Sequence, residues 1–243
     1  MNRVMLIFVS LISVTTVFAQ SEFSVDLYDS QRSRVVPVAV YQPRKVSAKT
    51  QVVILNHGYD GNKNSKSNQT YSYLSHFLSQ KGYFVISIQH ELANDPLLAM
   101  TGDFMQTRMP NWERGVENIL FSIKEFKKLK PTLDWNELTV IGHSNGGDMT
   151  MLFASKYPGM LAKAISLDHR RMVMPRCSRP RIYTLRGCDY EADKQVIPTA
   201  EEQQEFNITV VKLDGIRHTD MDDKGSVEQH DRILRYINAF LKD

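Results

Sequence analysis

The sequence lacks the motifs of metalloproteins, nucleotide-binding proteins and nucleic-acid-binding proteins. Only two of its 243 residues are cysteines, and it contains neither a His-Glu-x-x-His nor a paired-cysteine metal spacing. A Gly-rich phosphate loop is also missing. Thirty basic residues nearly balance 27 acidic ones, and no basic run is long enough to indicate nucleic-acid binding. We therefore expect no metal, no cofactor and no nucleic-acid partner.

The two cysteines, Cys177 and Cys188, are not expected to form a disulfide. Residues 181–187 between them have the composition of a strand, which would hold the cysteines on the order of 20 Å apart at about 3.3 Å per residue. A disulfide requires α-carbons within about 7 Å of each other. The sequence therefore predicts two free, partly buried thiols.

The longest apolar run lies at the N-terminus. Arg3 precedes the apolar residues 4–18, and Val17 and Ala19 occupy the −3 and −1 positions of a signal-peptidase site. The run is shorter than the roughly 20 residues of a membrane-spanning helix. We expect a cleaved signal peptide over residues 1–19 and a secreted or periplasmic protein, with an uncleaved anchor as the alternative. The mature chain, residues 20–243, is expected to be one catalytic domain without an integral membrane segment.

Apolar runs of strand length alternate with helical periodicity along the rest of the chain. Continuous apolar runs are typical of strands that are buried on both faces of a parallel sheet. Strands are predicted at residues 51–55, 83–88, 138–141, 164–167, 182–185 and 208–213. Helices are predicted at residues 71–80, 112–129, 148–156 and 230–241. This alternation predicts a doubly wound, mostly parallel α/β sheet, with an antiparallel edge from residues 22–41.

Residues 91–111 depart from this alternation. They contain two prolines, a glycine and three methionines, Met100, Met105 and Met109. Long irregular segments in compact domains are often functional, and methionine packs adaptably. Two interpretations remain open: the segment lines a substrate cleft, or it is a surface excursion packed on its own methionines.

Residues 142–147, Gly-His-Ser-Asn-Gly-Gly, lie between a predicted strand and a predicted helix. This is the G-x-S-x-G nucleophile elbow in its required strand–turn–helix context. The flanking positions must lack side chains because the strand and the helix crowd together there. The serine hydroxyl then stands at a helix N-terminus, where the helix dipole favours a developing anion. The motif predicts Ser144 as a nucleophile.

An oxyanion formed at Ser144 would require backbone N–H donors. The residue after the nucleophile, Asn145, supplies the first of them. The second is expected from residues 56–59, Asn-His-Gly-Tyr, which follow the predicted strand 51–55. Gly58 permits a turn that directs the Tyr59 amide into the site. We expect the His57 side chain to order this loop without transferring protons.

A serine hydroxyl also needs a general base, and His218 has the expected setting. It follows the last predicted strand and precedes the C-terminal helix, as the serine, acid, histidine order requires. Asp168 follows one candidate strand, and Asp189 and Asp193 follow the next. The usual position of the acid favours Asp189 or Asp193, and the residue pattern alone leaves the choice open. We also expect Asp222 to help order the histidine loop.

From about Val52 to Ser226 the chain resembles the platelet-activating factor acetylhydrolase branch of the α/β-hydrolases. The likeness rests on the motifs at residues 52–58, 82–90, 142–147, 165–168 and 215–222. It implies an α/β-hydrolase fold and a triad of Ser144, Asp168 and His218, which favours Asp168 over Asp189. The chain departs from the branch at residues 89–92, which are Gln-His-Glu-Leu where Glu-His-Arg-Asp is common. It also has Asn145 where an aromatic residue is common, so the resemblance does not imply the substrate.

These observations predict a serine hydrolase that cleaves carboxylic esters, short-acyl or lipid-like, through an acyl-enzyme intermediate. The expected partner is a small-molecule ester substrate. Only about a dozen residues separate Asp168 from the next strand, so no large cap domain is expected. Two alternatives remain: a peptidase or amidase on the same scaffold, and a binding protein that has lost catalysis.

Overall fold

The computed structural model describes residues 21–243, so the predicted signal peptide lies outside the described residues. The strands are β1 (Ser21–Asp29), β2 (Arg34–Gln42), β3 (Gln51–Asn56), β4 (Phe84–Ile88), β5 (Asp134–His143), β6 (Lys163–Leu167), β7 (Arg181–Arg186) and β8 (Thr209–Lys212). The helices are α1 (Ser72–Gln80), α2 (Phe104–Thr107), α3 (Met109–Leu129), α4 (Asn145–Lys156), α5 (Ala200–Phe206) and α6 (Val227–Lys242). Short 3₁₀ turns occur at Ser67–Gln69, Pro158–Met160 and His218–Asp220.

All eight strands form one sheet in the order β1-β2-β4-β3-β5-β6-β7-β8. The strands from β4 to β8 pair in parallel, whereas β1 with β2 and β2 with β4 pair antiparallel. The predicted mostly parallel sheet and its antiparallel edge are therefore confirmed. Parallel strands end at the same edge of the sheet, so the loops after β3, β5, β6 and β7 meet there.

The apolar runs are continuous because both faces of the sheet are covered. Val52 and Ile54 of β3 pack with α3 and α4, whereas Val53 and Leu55 pack with α1 and α6. Successive side chains of a strand point to opposite faces, so each face receives every second residue. Trp112, in the first core, is fully buried.

The sequence prediction missed α2 and α5 and placed the starts of several elements too late. β5 begins at Asp134 and α4 begins at Asn145, earlier than the predicted residues 138 and 148. Glycines near the start of α4 lower its helix propensity, which hid its first turn. α5 buries no residue and so has no apolar stripe, although a capping box joins Thr199 and Glu202.

Residues 91–111 pack on the loop that follows β3. The Leu98 amide donates to the Tyr59 hydroxyl at 3.0 Å, and Asn62 Nδ2 donates to the Asp95 carbonyl at 2.8 Å. Met100 is 71 % exposed and Met105 39 % exposed, whereas Met109 is partly buried against the core. The segment braces a loop of the candidate site.

The connection from β6 to β7 is short, and both cysteines are free. Residues 168–180 join β6 to β7 without a helix or strand, so no large cap domain is inserted there. Cys177 and Cys188 are free, and Cys188 is exposed where partial burial was predicted. Within residues 21–243, no helix combines the length and apolarity needed to cross a membrane.

Candidate active site

Ser144 lies in a sharp turn between β5 and α4. Its backbone angles, φ 52° and ψ −121°, are strained for a residue with a side chain. A Cβ atom on Gly142 would overlap the Gly146 carbonyl, and one on Gly146 would overlap the carbonyls of Asn56 and His57. Glycine is therefore required at both positions, and the turn presents the Ser144 hydroxyl at the first turn of α4.

Three side chains from different loops form a hydrogen-bonded relay. Ser144 Oγ lies 2.9 Å from His218 Nε2. His218 Nδ1 lies 2.6 Å from Asp168 Oδ2. The serine follows β5, the aspartate follows β6, and the histidine lies in the loop between β8 and α6. The geometry is that of a nucleophile, a base and an orienting acid.

Asp168 is fully buried, with φ 51°. The Gly187 amide donates to Asp168 Oδ1 at 2.9 Å, and an Arg186 nitrogen lies 3.0 Å from the same oxygen. Burial alone would raise the pKa of Asp168, but the hydrogen bond with His218, the Arg186 charge and the Gly187 amide together lower it. Asp168 is therefore ionised at neutral pH.

The other candidate aspartates have different partners. Asp189 Oδ1 accepts the His218 backbone N–H at 2.8 Å and so positions the histidine's main chain. Asp193 pairs with Arg171. The structure therefore brings Asp168 to the imidazole and leaves both alternatives away from it.

Three aspartates order the histidine loop, the segment between β8 and α6. Asp220 accepts from the Arg217 amide and from Gln229 Nε2, each at 2.9 Å. The Asp223 carboxylate accepts from the first amides of α1. The Asp222 carboxylate accepts the Lys224 amide and Lys224 Nζ, each at 2.9 Å, so it orders this loop locally.

The two residues predicted to supply oxyanion donors, Asn145 and Tyr59, lie on segments next to Ser144. Asn145 is the first residue of α4, and the first amides of a helix have no acceptor within it. Gly58 lies so close to the elbow that a Cβ atom there would come within 3.4 Å of Ser144 Cβ. Tyr59 follows Gly58, and its hydroxyl is fixed by the Leu98 amide. A substrate carbonyl at Ser144 would therefore lie between these two segments.

A histidine–tyrosine link joins the loops around Ser144, and the sequence analysis did not predict it. Burial, together with the charge of His218, lowers the pKa of His143 to about 3, so its ring is neutral. His143 Nε2 donates to the His218 carbonyl at 3.1 Å, and its Nδ1 accepts from the Tyr71 hydroxyl at 2.6 Å. The Tyr71 oxygen accepts the Gly58 amide at 3.1 Å. Hydrogen bonds thereby connect the loop after β3, which contains Gly58, to the loop that contains His218.

A second unpredicted network holds the Asn145 side chain. Trp112 Nε1 donates to Asn145 Oδ1 at 2.8 Å. Asn145 Nδ2 donates to Asn111 Oδ1 at 2.9 Å and to Glu91 Oε1 at 3.2 Å. All four residues are buried. Two members of this network, Glu91 and Asn145, lie where the sequence departs from the residues common in the platelet-activating factor acetylhydrolase branch. Those departures were the sequence feature that could have indicated the network.

The donor set does not suit a metal. Among residues 21–243, no cluster of three or more His, Cys, Asp or Glu side chains is placed to bind an ion. Ser144, His218 and Asp168 bond to one another, and Asp168 also accepts the Gly187 amide. What the arrangement offers chemically is a hydroxyl, a base and two amide donors.

No protein-family model matches the chain, and a search of curated proteins finds no match. Solved structures do match. An esterase of Rhizomucor miehei has a TM-score of 0.69 at 13% identity, covering 94% of this chain and 84% of that chain. A putative dienelactone hydrolase of Klebsiella pneumoniae has 0.62 at 14% identity, covering 92% and 99%. An acylaminoacyl peptidase of Pyrococcus horikoshii has 0.61 at 14% identity, covering 93% of this chain and 42% of that one.

Identities this low establish the fold alone. Together with the sheet order described above, the matches show that the chain has the α/β-hydrolase fold. The predicted fold class is therefore confirmed.

Proposed function

We propose that this protein is a serine hydrolase that cleaves carboxylic esters through an acyl-enzyme intermediate. The observation that carries the proposal is the unbroken relay from Ser144 Oγ to His218 to buried, ionised Asp168. Structurally similar proteins are esterases and hydrolases, which supports the same class of reaction.

The mechanism follows from the contacts. His218 Nε2 takes the Ser144 proton as the serine oxygen attacks the acyl carbon. The Nδ1–H bond to Asp168 fixes the imidazole tautomer and stabilises the imidazolium. The Asn145 and Tyr59 amides stabilise the oxyanion. His218 then protonates the leaving alcohol, and it activates the water that releases the acid.

The substrate class is inferred from the surroundings of the site. The short connection from β6 to β7 carries no cap, which suits short acyl groups or esters exposed on larger molecules. The motifs shared with the platelet-activating factor acetylhydrolase branch support the same triad layout. A peptidase or amidase activity is the second candidate, because an acylaminoacyl peptidase shares the fold. This chain spans less than half of that protein.

Two measurements test the proposal. A fluorophosphonate probe should label the wild-type protein and leave Ser144→Ala unlabelled, and Ser144→Ala should lose about 10⁴- to 10⁶-fold in kcat on a p-nitrophenyl ester. Labelling of Ser144→Ala at the wild-type rate would refute the assigned nucleophile. Faster turnover of p-nitroanilides than of matched esters would favour the amidase.

A further inference from the structure

Glu91 is a buried carboxyl group that the mechanism does not use. It lies just after β4, is 2 % exposed, and its Oε1 accepts from Asn145 Nδ2 at 3.2 Å and from Asn111 Nδ2 at 3.4 Å. Its Oε2 is buried without a hydrogen-bond partner in the part of the chain that the structure describes. That oxygen lies 3.6 Å from His57 Nε2. Glu91 therefore touches both segments that carry the proposed oxyanion donors.

The hydrogen bonds of His57 fix where its proton lies. His57 Nδ1 is 2.7 Å from the Gly58 carbonyl, which can only accept, so Nδ1 carries a hydrogen. The His90 backbone N–H points at His57 Nε2 from 3.0 Å, so Nε2 accepts and carries none. The His57 ring is consequently neutral. The contact between Glu91 and His57 is not an ion pair.

The other charged groups facing Glu91 are already matched or distant. Arg114 lies on α3 and pairs with Asp95 at 3.7 Å. Asp60, after β3, is exposed and accepts from the Ser67 hydroxyl. Burial lowers the pKa of fully buried His90, so it adds no charge. Burial also raises the pKa of Glu91, and it outweighs the opposing effects of the Asn111 hydrogen bond and the Arg114 charge.

Resting on the proposed ester hydrolysis, we propose that Glu91 is a protonated positioning residue that holds the two walls of the oxyanion site together. Its Oε1 anchors the side chain of Asn145, whose amide is one donor. Its Oε2–H faces His57 Nε2 from 3.6 Å, and that nitrogen also accepts the His90 amide. His57 lies in the loop that leads to Tyr59, the other donor. A neutral carboxyl group makes both contacts, whereas an ionised one would place negative charge beside the developing oxyanion.

Two substitutions of Glu91 distinguish the effect of a neutral side chain of the same shape from the effect of losing the side chain. Glu91→Gln replaces the acid by a neutral group of the same shape, whose oxygen can accept from Asn145 and whose nitrogen can donate to His57. Glu91→Ala removes both contacts, and displacement of the donors should cost about 10²-fold in kcat with little change in KM. Glu91→Gln should recover most of that loss. The matched controls are Glu113→Gln and Glu113→Ala, at an exposed glutamate of α3 that pairs with Lys156, and they should behave as wild type.

A spectroscopic readout tests protonation independently of activity. The infrared difference spectrum of wild type minus Glu91→Gln at pH 7 should contain the carbonyl stretch of a protonated carboxyl group. Absence of that band, or a folded Glu91→Gln as impaired as Glu91→Ala, would overturn the proposal. Wild-type kcat in folded Glu91→Ala would also overturn it. If instead the wild type hydrolyses no ester, the proposed function fails while the infrared band still reports on Glu91.

Discussion

The two sides of Ser144 are built from opposite kinds of polar group. On the histidine side, Asp168 is ionised and Arg186 and His218 surround it. On the oxyanion side, Asn145 and Glu91 form a neutral network of amide and carboxyl groups. Acyl transfer develops positive charge on the imidazole and negative charge on the oxyanion. Each side thus supplies the surroundings that its own transient charge requires.

Burial does not explain this difference, because both carboxyl groups are buried. Asp168 is 0 % exposed and Glu91 is 2 % exposed. The pKa of Asp168 is lowered and that of Glu91 is raised. Burial acts to raise both pKa values. At Asp168 the hydrogen bond with His218 and the Arg186 charge outweigh burial, whereas at Glu91 the Asn111 hydrogen bond does not. Charged partners, and not exposure, determine which carboxyl group keeps its charge.

The largest effect is expected from removing the charge on the histidine side. Asp168→Asn should lower kcat by about 10⁴-fold, because the amide favours the wrong imidazole tautomer and cannot stabilise the imidazolium. Asp193→Asn is the matched control, and its kcat should stay near that of the wild type. Both variants are assayed on one activated ester, with thermal melts to verify folding. A near-normal rate in Asp168→Asn would show that the reaction does not depend on the charge of Asp168.

On the oxyanion side of Ser144, the Trp112 N–H that donates to the Asn145 side chain can be removed by one substitution. Trp112→Phe keeps a buried aromatic ring of smaller volume and leaves Asn145 Oδ1 without its N–H partner. The lost hydrogen bond alone should cost about 1 to 3 kcal/mol in unfolding free energy. If about half of this free energy is lost from the transition state through the Asn145 amide, kcat falls about two- to tenfold.

The control for that variant is Trp135→Phe, which removes an N–H bond to the Lys130 carbonyl, remote from the site. It should lower stability without lowering kcat. Equal kcat values for the two tryptophan variants, measured on the same ester, would show that the Asn145 network does not reach the reaction.

The histidine side could be predicted from the sequence much better than the oxyanion side. Ser144 lies in a local motif with a steric reason for each glycine, and the order of the elements placed His218. Asp168 needed a family resemblance, because strand order alone favoured Asp189. The contacts of Glu91 with Asn145 and His57 join residues that lie 34 to 54 positions apart in sequence. No periodicity reports such contacts, so the neutral network emerged only from the fold.

A smaller effect is expected where Asp189 holds the His218 main chain. Asp189→Ala removes one hydrogen bond, worth about 1 kcal/mol, and should lower kcat about fivefold. Asp189→Asn retains an acceptor oxygen and should restore most of the rate. Steady-state kinetics of the two variants, side by side, check this. If Asp189→Asn is as slow as Asp189→Ala, the carboxylate charge and not the acceptor is what matters there.

Asp148 extends the comparison from rate to stability. It is a buried carboxyl group on α4, and its Oδ1 accepts the amides of Arg171 at 3.0 Å and Met172 at 2.8 Å. Burial raises its pKa to about 6, although these amides and nearby arginines oppose the shift. Like Glu91, it is a carboxyl group that folding pushes towards the neutral form.

The sign of the resulting pH dependence can be worked out. Because the folded-state pKa lies above the unfolded value of about 3.9, the contribution of Asp148 to stability is fully present below pH 3.9 and is lost as the pH rises through about 6. Asp148→Asn keeps an oxygen for both amides but has no ionisation. Its unfolding free energy, minus that of wild type, should therefore increase between pH 4 and pH 7 by on the order of 3 kcal/mol. Urea melts of both proteins at each pH measure this difference, in which all other titrating groups cancel. A difference that stays constant with pH would mean that Asp148 ionises equally easily in the folded and unfolded chain, and that burial at this position does not favour a neutral carboxyl group.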